Sequence, residues 1–408
     1  MPAPIYFDNA ATSFPKPECV HEAVLDYMRR VGASPGRGAY AAAREGASLI
    51  ARCRERIREL VGGERGGEVI FTLNATDALN MAIKGVVRAW NRVNPGRTAH
   101  VVTTAMDHNS VLRPLNALTA GGEVVWTCVE ADAATGLVDA ASVASAVRPD
   151  TALVVVVHAS NVTGTIQPVA AIWRACRRLG VPLLVDAAQS LGHTPVDAAS
   201  MGIDLLAFPG HKGLLGPLGT GGLYLRPGIE ALVEPLREGG TGSVSESDVQ
   251  PVALPDRYEP GSHNTPGIAG LSAAAEWLLD RGIDRVRAHE ARLIEAALES
   301  MPREREGFRL LGPDAVEGRV GVFSLVHEAI APGSLAAGLE ARGYLTRAGL
   351  HCAPRAHAAL GTLERGGAVR VSVGPFVDEA AIRGVMRALS VVASETRTER
   401  PAGVGSVR

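Results

Sequence analysis

Apolar positions along the chain fall into two textures. The first is helical. In PECVHEAVLDYMRR (17–30), Val20, Ala23, Val24, Tyr27 and Met28 share one face, and Pro17 suits a first turn. In REGASLIARCRERIRELVGG (44–63), Ile50, Cys53, Ile57, Leu60 and Val61 make a stripe that Gly62 and Gly63 end. The second texture is the short apolar run. EVIFTL (68–73), VVTTAM (101–106), EVVWTCV (123–129), TALVVVVHAS (151–160), VPLLVDAA (181–188), LLAFPG (205–210) and GGLYLRP (221–227) read as strands. Helical segments stand between some of them, notably DALNMAIKGVVRAW (77–90) and VAAIWRACRRLG (169–180). These strands lack a clean period of two, as expected when helices cover both faces of a sheet. The alternation predicts an α/β chain with a doubly wound, mostly parallel sheet, and ligands beyond the carboxyl ends of its strands.

Residues 238–270 are rich in Gly, Ser, Thr and Pro and carry little periodicity. Beyond them the texture changes. A helix is predicted over 268–282, a strand over 319–328, a helix over 334–343, a strand over 368–376 and a last helix over 378–394. In the last, Ile382, Val385, Met386, Leu389 and Val392 form the stripe. This predicts a smaller α+β domain. The expected partition is 17–265 for the large domain, 1–16 with 266–394 for the small one, and a flexible tail over 395–408.

Composition narrows the function. At 408 residues the chain exceeds one ordinary core, and 46% hydrophobic with 21% charged residues describes a globular protein. Forty-one basic against 43 acidic residues leave a net charge of −2, so neither nucleic acid nor anionic lipid is an expected partner. No apolar run has the roughly 20 residues of a membrane span, and MPAPIYFDNAAT lacks the pattern of a signal peptide. The five cysteines, Cys19, Cys53, Cys128, Cys176 and Cys352, contain no CxxC pair. That argues against a disulfide framework or metal ribbon and for a reducing, cytoplasmic setting.

Four fragments could carry chemistry. Lys212, in GHKG (210–213), follows a short apolar strand; a desolvated amine there could form a Schiff base with a carbonyl cofactor, whereas an ordinary loop lysine is solvated. Asp186, in VDAAQ (185–189), follows another; it is either a helix cap or a partner that keeps a pyridine nitrogen protonated. His108, in MDHNS (106–110), is either an ordinary hydrogen-bonded residue or a ring that stacks on a planar cofactor. NATDALN (74–80) opens a helix, so Ala75 and Thr76 could hold a phosphate at its positive end, unless Thr or Asp only caps it. All four follow strands of one inferred sheet, and as a set they match the needs of pyridoxal phosphate (PLP).

YFDNAAT, NATDALN, MDHNS, SNVTGTIQP, VDAAQ, GHKG and LHCAP, in this order, resemble the class-V PLP-dependent aminotransferase-fold proteins, most closely the SUF-like cysteine desulfurases and selenocysteine lyases. The resemblance runs from Tyr6 to about Phe376 and implies PLP transferase fold type I. It implies that Lys212 binds the cofactor covalently, Asp186 pairs with the pyridine nitrogen and Gln189 with the ring hydroxyl, and His108 stacks on the ring. Asn161 would sit by the ring or the substrate carboxylate, and Thr76 and His211 would hold the phosphate. Ser262, in EPGSHNTPG (259–267), would complete the phosphate cup from a partner subunit, making a homodimer with a shared site. Cys352, read as lying in a loop between a helix and a strand, would be the nucleophile. It would attack the sulfur of L-cysteine, release L-alanine and keep a persulfide for an acceptor protein. Arg370 would bind the substrate carboxylate, and Arg347 would line the mouth.

The chain departs from the pattern at three places. Pro209 stands where a Ser or Thr usually bonds the phosphate, and proline offers neither hydroxyl nor N–H. Arg37 stands in a stretch where a histidine near the substrate is usual, and would fill that space as a substrate-binding residue. RAHAALGT, after Cys352, reads as a short, ordered loop. Two alternatives stay open: another class-V enzyme (aminotransferase, epimerase or C–S lyase) in which Cys352 is dispensable, or a non-catalytic partner protein.

Overall fold

The computed structural model describes residues 3–36 and 38–398. In chain order the elements begin with β1 (Ile5–Tyr6), α1 (Glu18–Asp26, run on by a π turn to Val31), α2 (Ala41–Leu60), β2 (Glu68–Thr72), α3 (Ala75–Val93), β3 (Ala99–Thr104), α4 (Asn109–Ala120) and β4 (Val124–Val129). Next come α5 (Ala140–Ala146), β5 (Thr151–Val157), α6 (Val169–Cys176), β6 (Leu183–Asp186), α7 (Ala198–Met201), β7 (Leu205–Pro209), β8 (Gly221–Leu225) and α8 (Thr265–Arg281). Last are α9 (Ile283–Ser300), β9 (Phe308–Leu311), β10 (Val322–His327), α10 (Pro332–Glu340), β11 (Tyr344–Leu345), β12 (Arg347–Gly349), α11 (Pro354–Ala359), β13 (Ala368–Ser372) and α12 (Glu379–Thr398).

Seven strands form the main sheet, in the order β2-β8-β7-β6-β5-β3-β4. The run from β7 to β4 is parallel, and β8 lies antiparallel to both neighbours. Each central strand feeds two cores. Val154 and Val156 of β5 pack into one with α2 and α8, and Leu153 and Val155 into the other with α3 and α4. Two buried faces explain why the apolar runs are continuous.

Four antiparallel strands form the second sheet, β12-β13-β10-β9. Helices α9, α10 and α12 cover it through Leu293, Leu335 and Leu339, and through the predicted stripe from Ile382 to Val392. The two-residue β1 pairs with β11, so the amino-terminal segment joins this half.

Several expectations change. Met28 lies 63% exposed, because the π turn at Tyr27 rotates it off the buried face. No change of packing occurs at 265/266: α8 lies on α1 and α2 and feeds Ile268, Leu271 and Leu278 into the large core. The chain crosses to the second sheet only with α9. RAHAALGT is mostly helix α11 rather than loop, begun by Pro354 in its first turn. Helix α12 continues through 395–398, and the rest of the expected tail lies outside the described residues.

Candidate active site

Beyond the carboxyl ends of β3, β5, β6 and β7 lies a cavity of about 250 Å³. Ala75, Thr76, His108, Asn161, Asp186, Gln189, His211 and Lys212 all line it, together with Pro209 and Ser110.

Helix α3 is capped by Asn74, whose side chain accepts from Asp77 N at 2.9 Å, while Asp77 accepts from Leu73 N at 3.1 Å. Asn74 is thus the cap, and the Thr76 hydroxyl is not needed for that role. It lies 2.7 Å from Ser110 Oγ. His108 caps α4: Nδ1 accepts from Ser110 N at 3.0 Å. Burial, helped by the positive charge of Lys212, pushes this imidazole down to about 4. The ring is therefore neutral at ordinary pH, and with Nδ1 accepting, its proton sits on Nε2.

Asp186 ends β6 and is 2% exposed. One carboxylate oxygen accepts from Ala188 N at 2.9 Å; the other has no hydrogen-bond donor among the described residues. Burial raises its pKa and the Lys212 charge opposes that rise. Such a carboxylate, aimed into a cavity, awaits a cationic or N–H partner. Gln189 spends its amide N–H on Ala10 O at 2.8 Å, and its oxygen stays available.

Lys212 sits in the tight loop after β7. Gly216 N donates to Gly210 O at 2.7 Å, and Leu215 N to Lys212 O at 2.8 Å. A side chain at Gly213 would stand 2.3 Å from Leu191 O, so the loops after β6 and β7 meet backbone to backbone. Burial lowers the lysine to about 8, against the opposing pull of Asp186. The peptide just before it is clamped from the amino-terminal segment. The His211 carbonyl accepts from Ser13 N at 3.0 Å, Thr12 Oγ1 at 3.1 Å, Ser13 Oγ at 3.1 Å and Lys16 Nζ at 3.4 Å. Burial also lowers His211 to about 4.

The second sheet brings a further set to the rim. Arg370, on β13, is 2% exposed. It donates to Asn161 O at 3.1 Å and to Asp8 Oδ1 at 2.6 Å, while its Nε has no partner. Arg347, directly opposite on β12, is exposed. Asn161 Nδ2 donates to His351 O at 2.7 Å. Cys352 is exposed and lies between strand β12 and helix α11, the reverse of the expected helix-to-strand order. His351 and Cys352 both take left-handed backbone (φ 49° and 56°), which turns the thiol out of the chain path. The Cys352 carbonyl accepts from Asn109 N at 2.8 Å, one residue after His108. The Cys352 loop is therefore tied to the helix that His108 caps.

One expected residue stays apart. Ser262 is exposed in a separate depression with Arg237 and His263, not in the cavity of its own chain. Arg37 lies outside the described residues. Three residues went unassigned from sequence: Ser110, Asp8 and Lys16. Ser110 and Asp8 stand inside the quoted motifs MDHNS and YFDNAAT, where a hydroxyl and a carboxylate were the available signals.

The aminotransferase class-V family profile matches residues 5–385. Among curated proteins, a "Probable cysteine desulfurase" of Methanothermobacter thermautotrophicus is 34% identical over 90% of each chain. The cysteine desulfurase of Haloferax volcanii is 33% identical over 88% of this chain and 82% of its own. Among solved structures, the apo cysteine desulfurase of Thermococcus onnurineus NA1 superposes with a TM-score of 0.84 at 29% identity, covering 95% of both chains. The chain belongs to the class-V aminotransferase family, alongside the cysteine desulfurases.

Proposed function

We propose that the chain is a PLP-dependent cysteine desulfurase that converts L-cysteine to L-alanine and holds the released sulfur as a persulfide on Cys352. The observation that carries this is the pairing of two features in one site. Lys212 and the buried Asp186 line the cavity together, and an exposed cysteine is anchored beside His108.

The cavity suits the cofactor. The unpaired oxygen of Asp186 matches a protonated pyridine nitrogen, the free oxygen of Gln189 a ring hydroxyl, and the Thr76 and His211 end an anionic phosphate. Bound there, PLP supplies an electron sink for the Cα–H bond of an amino acid. Lys212, lowered to about 8, is the group able to take the Cα proton and return it. His108, which lines the cavity, would cover the ring. Arg370 and Arg347 supply the positive charge for the substrate carboxylate. Cys352 Sγ, as thiolate, attacks the substrate sulfur. The new S–S bond forms as the Cβ–S bond breaks, and carbon takes up a proton to give alanine. Cysteine plus thiol then equals alanine plus persulfide, with no outside oxidant or reductant.

A homodimer completes this reading. The exposed Ser262, outside the cavity lining of its own chain, suits a hydroxyl given to a partner's phosphate. The exposed thiol suits transfer to an acceptor protein. No helix among the described residues is long and apolar enough to cross a membrane, and the free cysteines fit a reducing cytoplasm. The test is purified protein with L-cysteine and a reductant, reading alanine, sulfide and the mass of the Cys352 peptide. Alanine and a 352-linked persulfide are expected. Full alanine production by Cys352→Ala would instead assign another class-V reaction.

A further inference from the structure

Pro209 ends β7 on the wall of the cavity and brings no hydrogen-bond donor to it. Nearby, Ser110 lines the same cavity, is 8% exposed, and belongs to no role assigned above. Its backbone N–H is spent on His108 Nδ1 at 3.0 Å. Its Oγ lies 2.7 Å from Thr76 Oγ1 and 2.9 Å from the same Nδ1. An imidazole nitrogen has one in-plane lone pair, and here the backbone N–H already occupies it. The Ser110 O–H is then best used on Thr76 Oγ1. A hydroxyl that accepts one hydrogen bond keeps its own proton for another acceptor. The Thr76 O–H is thereby directed to the cavity, at the amino end of α3, where an anion is favoured.

We propose that Ser110 is part of the phosphate-binding end of the site, its hydroxyl donating to Thr76 so that Thr76 donates to the phosphate, in place of the donor that Pro209 lacks. The inference rests on the PLP reading and adds to it a residue specific to this chain's departure at Pro209. The opposite hydrogen order, with Thr76 donating to Ser110 and Ser110 to Nδ1, would present only a lone pair from Thr76. A phosphate dianion selects against that order. Ser110 is thus a positioning residue acting through Thr76.

The test compares PLP with pyridoxal, which has the same ring and aldehyde but no phosphate. Dissociation constants are measured on cofactor-stripped wild type, Ser110→Ala, Ser110→Thr, Thr76→Ala and the Ser110→Ala/Thr76→Ala double variant. Ser110→Ala keeps the backbone N–H that His108 Nδ1 caps, so the start of α4 persists. Removing the hydroxyl that directs the Thr76 O–H toward the phosphate should weaken PLP about tenfold and leave pyridoxal within about twofold. Ser110→Thr should restore PLP binding, and Ser110→Ala should add nothing once Thr76 is Ala. Unchanged PLP affinity in Ser110→Ala, or equal losses for PLP and pyridoxal, would overturn the proposal. Failure of wild type to form a Lys212-dependent coloured adduct with PLP would overturn the cofactor reading itself, a result distinguishable from the others.

Discussion

Lys212 should be reactive well below the pH at which lysines usually are. Lys212 is partly buried in the cavity wall, and desolvation brings its amine from 10.5 to about 8 even though Asp186 pulls the other way. At pH 7 about one molecule in ten then carries the neutral amine, roughly 300-fold more than an ordinary lysine would. The neutral amine is the form that attacks a carbonyl. The sequence makes the measurement clean, because it contains three lysines, Lys16, Lys84 and Lys212. Cofactor-stripped protein is pulsed with trace acetic anhydride between pH 6 and 11, and the lysine peptides are quantified by mass spectrometry, with half-buried Lys84 on α3 as reference. The Lys212 labelling midpoint should fall near 8. Asp186→Asn removes the charge that raises Lys212, so the midpoint should move lower still. Lys16, also lowered to about 8 but by burial alone, should not respond to that substitution. A Lys212 midpoint above about 10, or one that rises in Asp186→Asn, would refute the reasoning.

Other outcomes follow from single contacts. Cys352→Ala should cut alanine release at least ~100-fold while shifting stability by less than about 0.5 kcal/mol, because the side chain is exposed; calorimetry and product assay check the two halves. Asp8→Ala leaves buried Arg370 with only the Asn161 carbonyl and an idle Nε, and should cost about 2 kcal/mol in urea unfolding; a change below about 0.5 kcal/mol would show that the pair contributes little. Gly164 has φ 74°, and a Cβ there would stand 2.7 Å from Val322 O and 2.8 Å from Val320 O, both backbone. Gly164→Ala should therefore cost about 2 kcal/mol or more. It should also weaken PLP binding by moving the turn that holds Asn161, as an absorbance titration would show.

What the sequence disclosed about this site, and what it hid, divide along a physical line. Lys212, Asp186 and His108 were legible because each follows an apolar strand, and a strand end is a place that local pattern marks. The bonds that join such ends are not local. Asp8 meets Arg370 across 362 positions, Asn161 meets His351 across 190, and Ser110 meets Thr76 across 34. Nothing in a periodicity points from one partner to the other. The unread helices fail for similar reasons. Helix α4 carries Pro114 inside it, a residue that normally ends a helix. Helix α9 interrupts its apolar stripe with Glu290, which is buried because His193, Arg287 and Gly321 N satisfy it. The left-handed turn at His351 and Cys352 also lacks a strong local signal, since no glycine occupies either position. The amino-terminal segment shows what these hidden links achieve. β1 joins β11, Asp8 holds Arg370, and Thr12, Ser13 and Lys16 hold the carbonyl that precedes Lys212. The stretch 5–16 thus fixes Arg370 relative to Lys212. The spacing of those two groups is set by a strap that touches both sheets, rather than by either sheet alone.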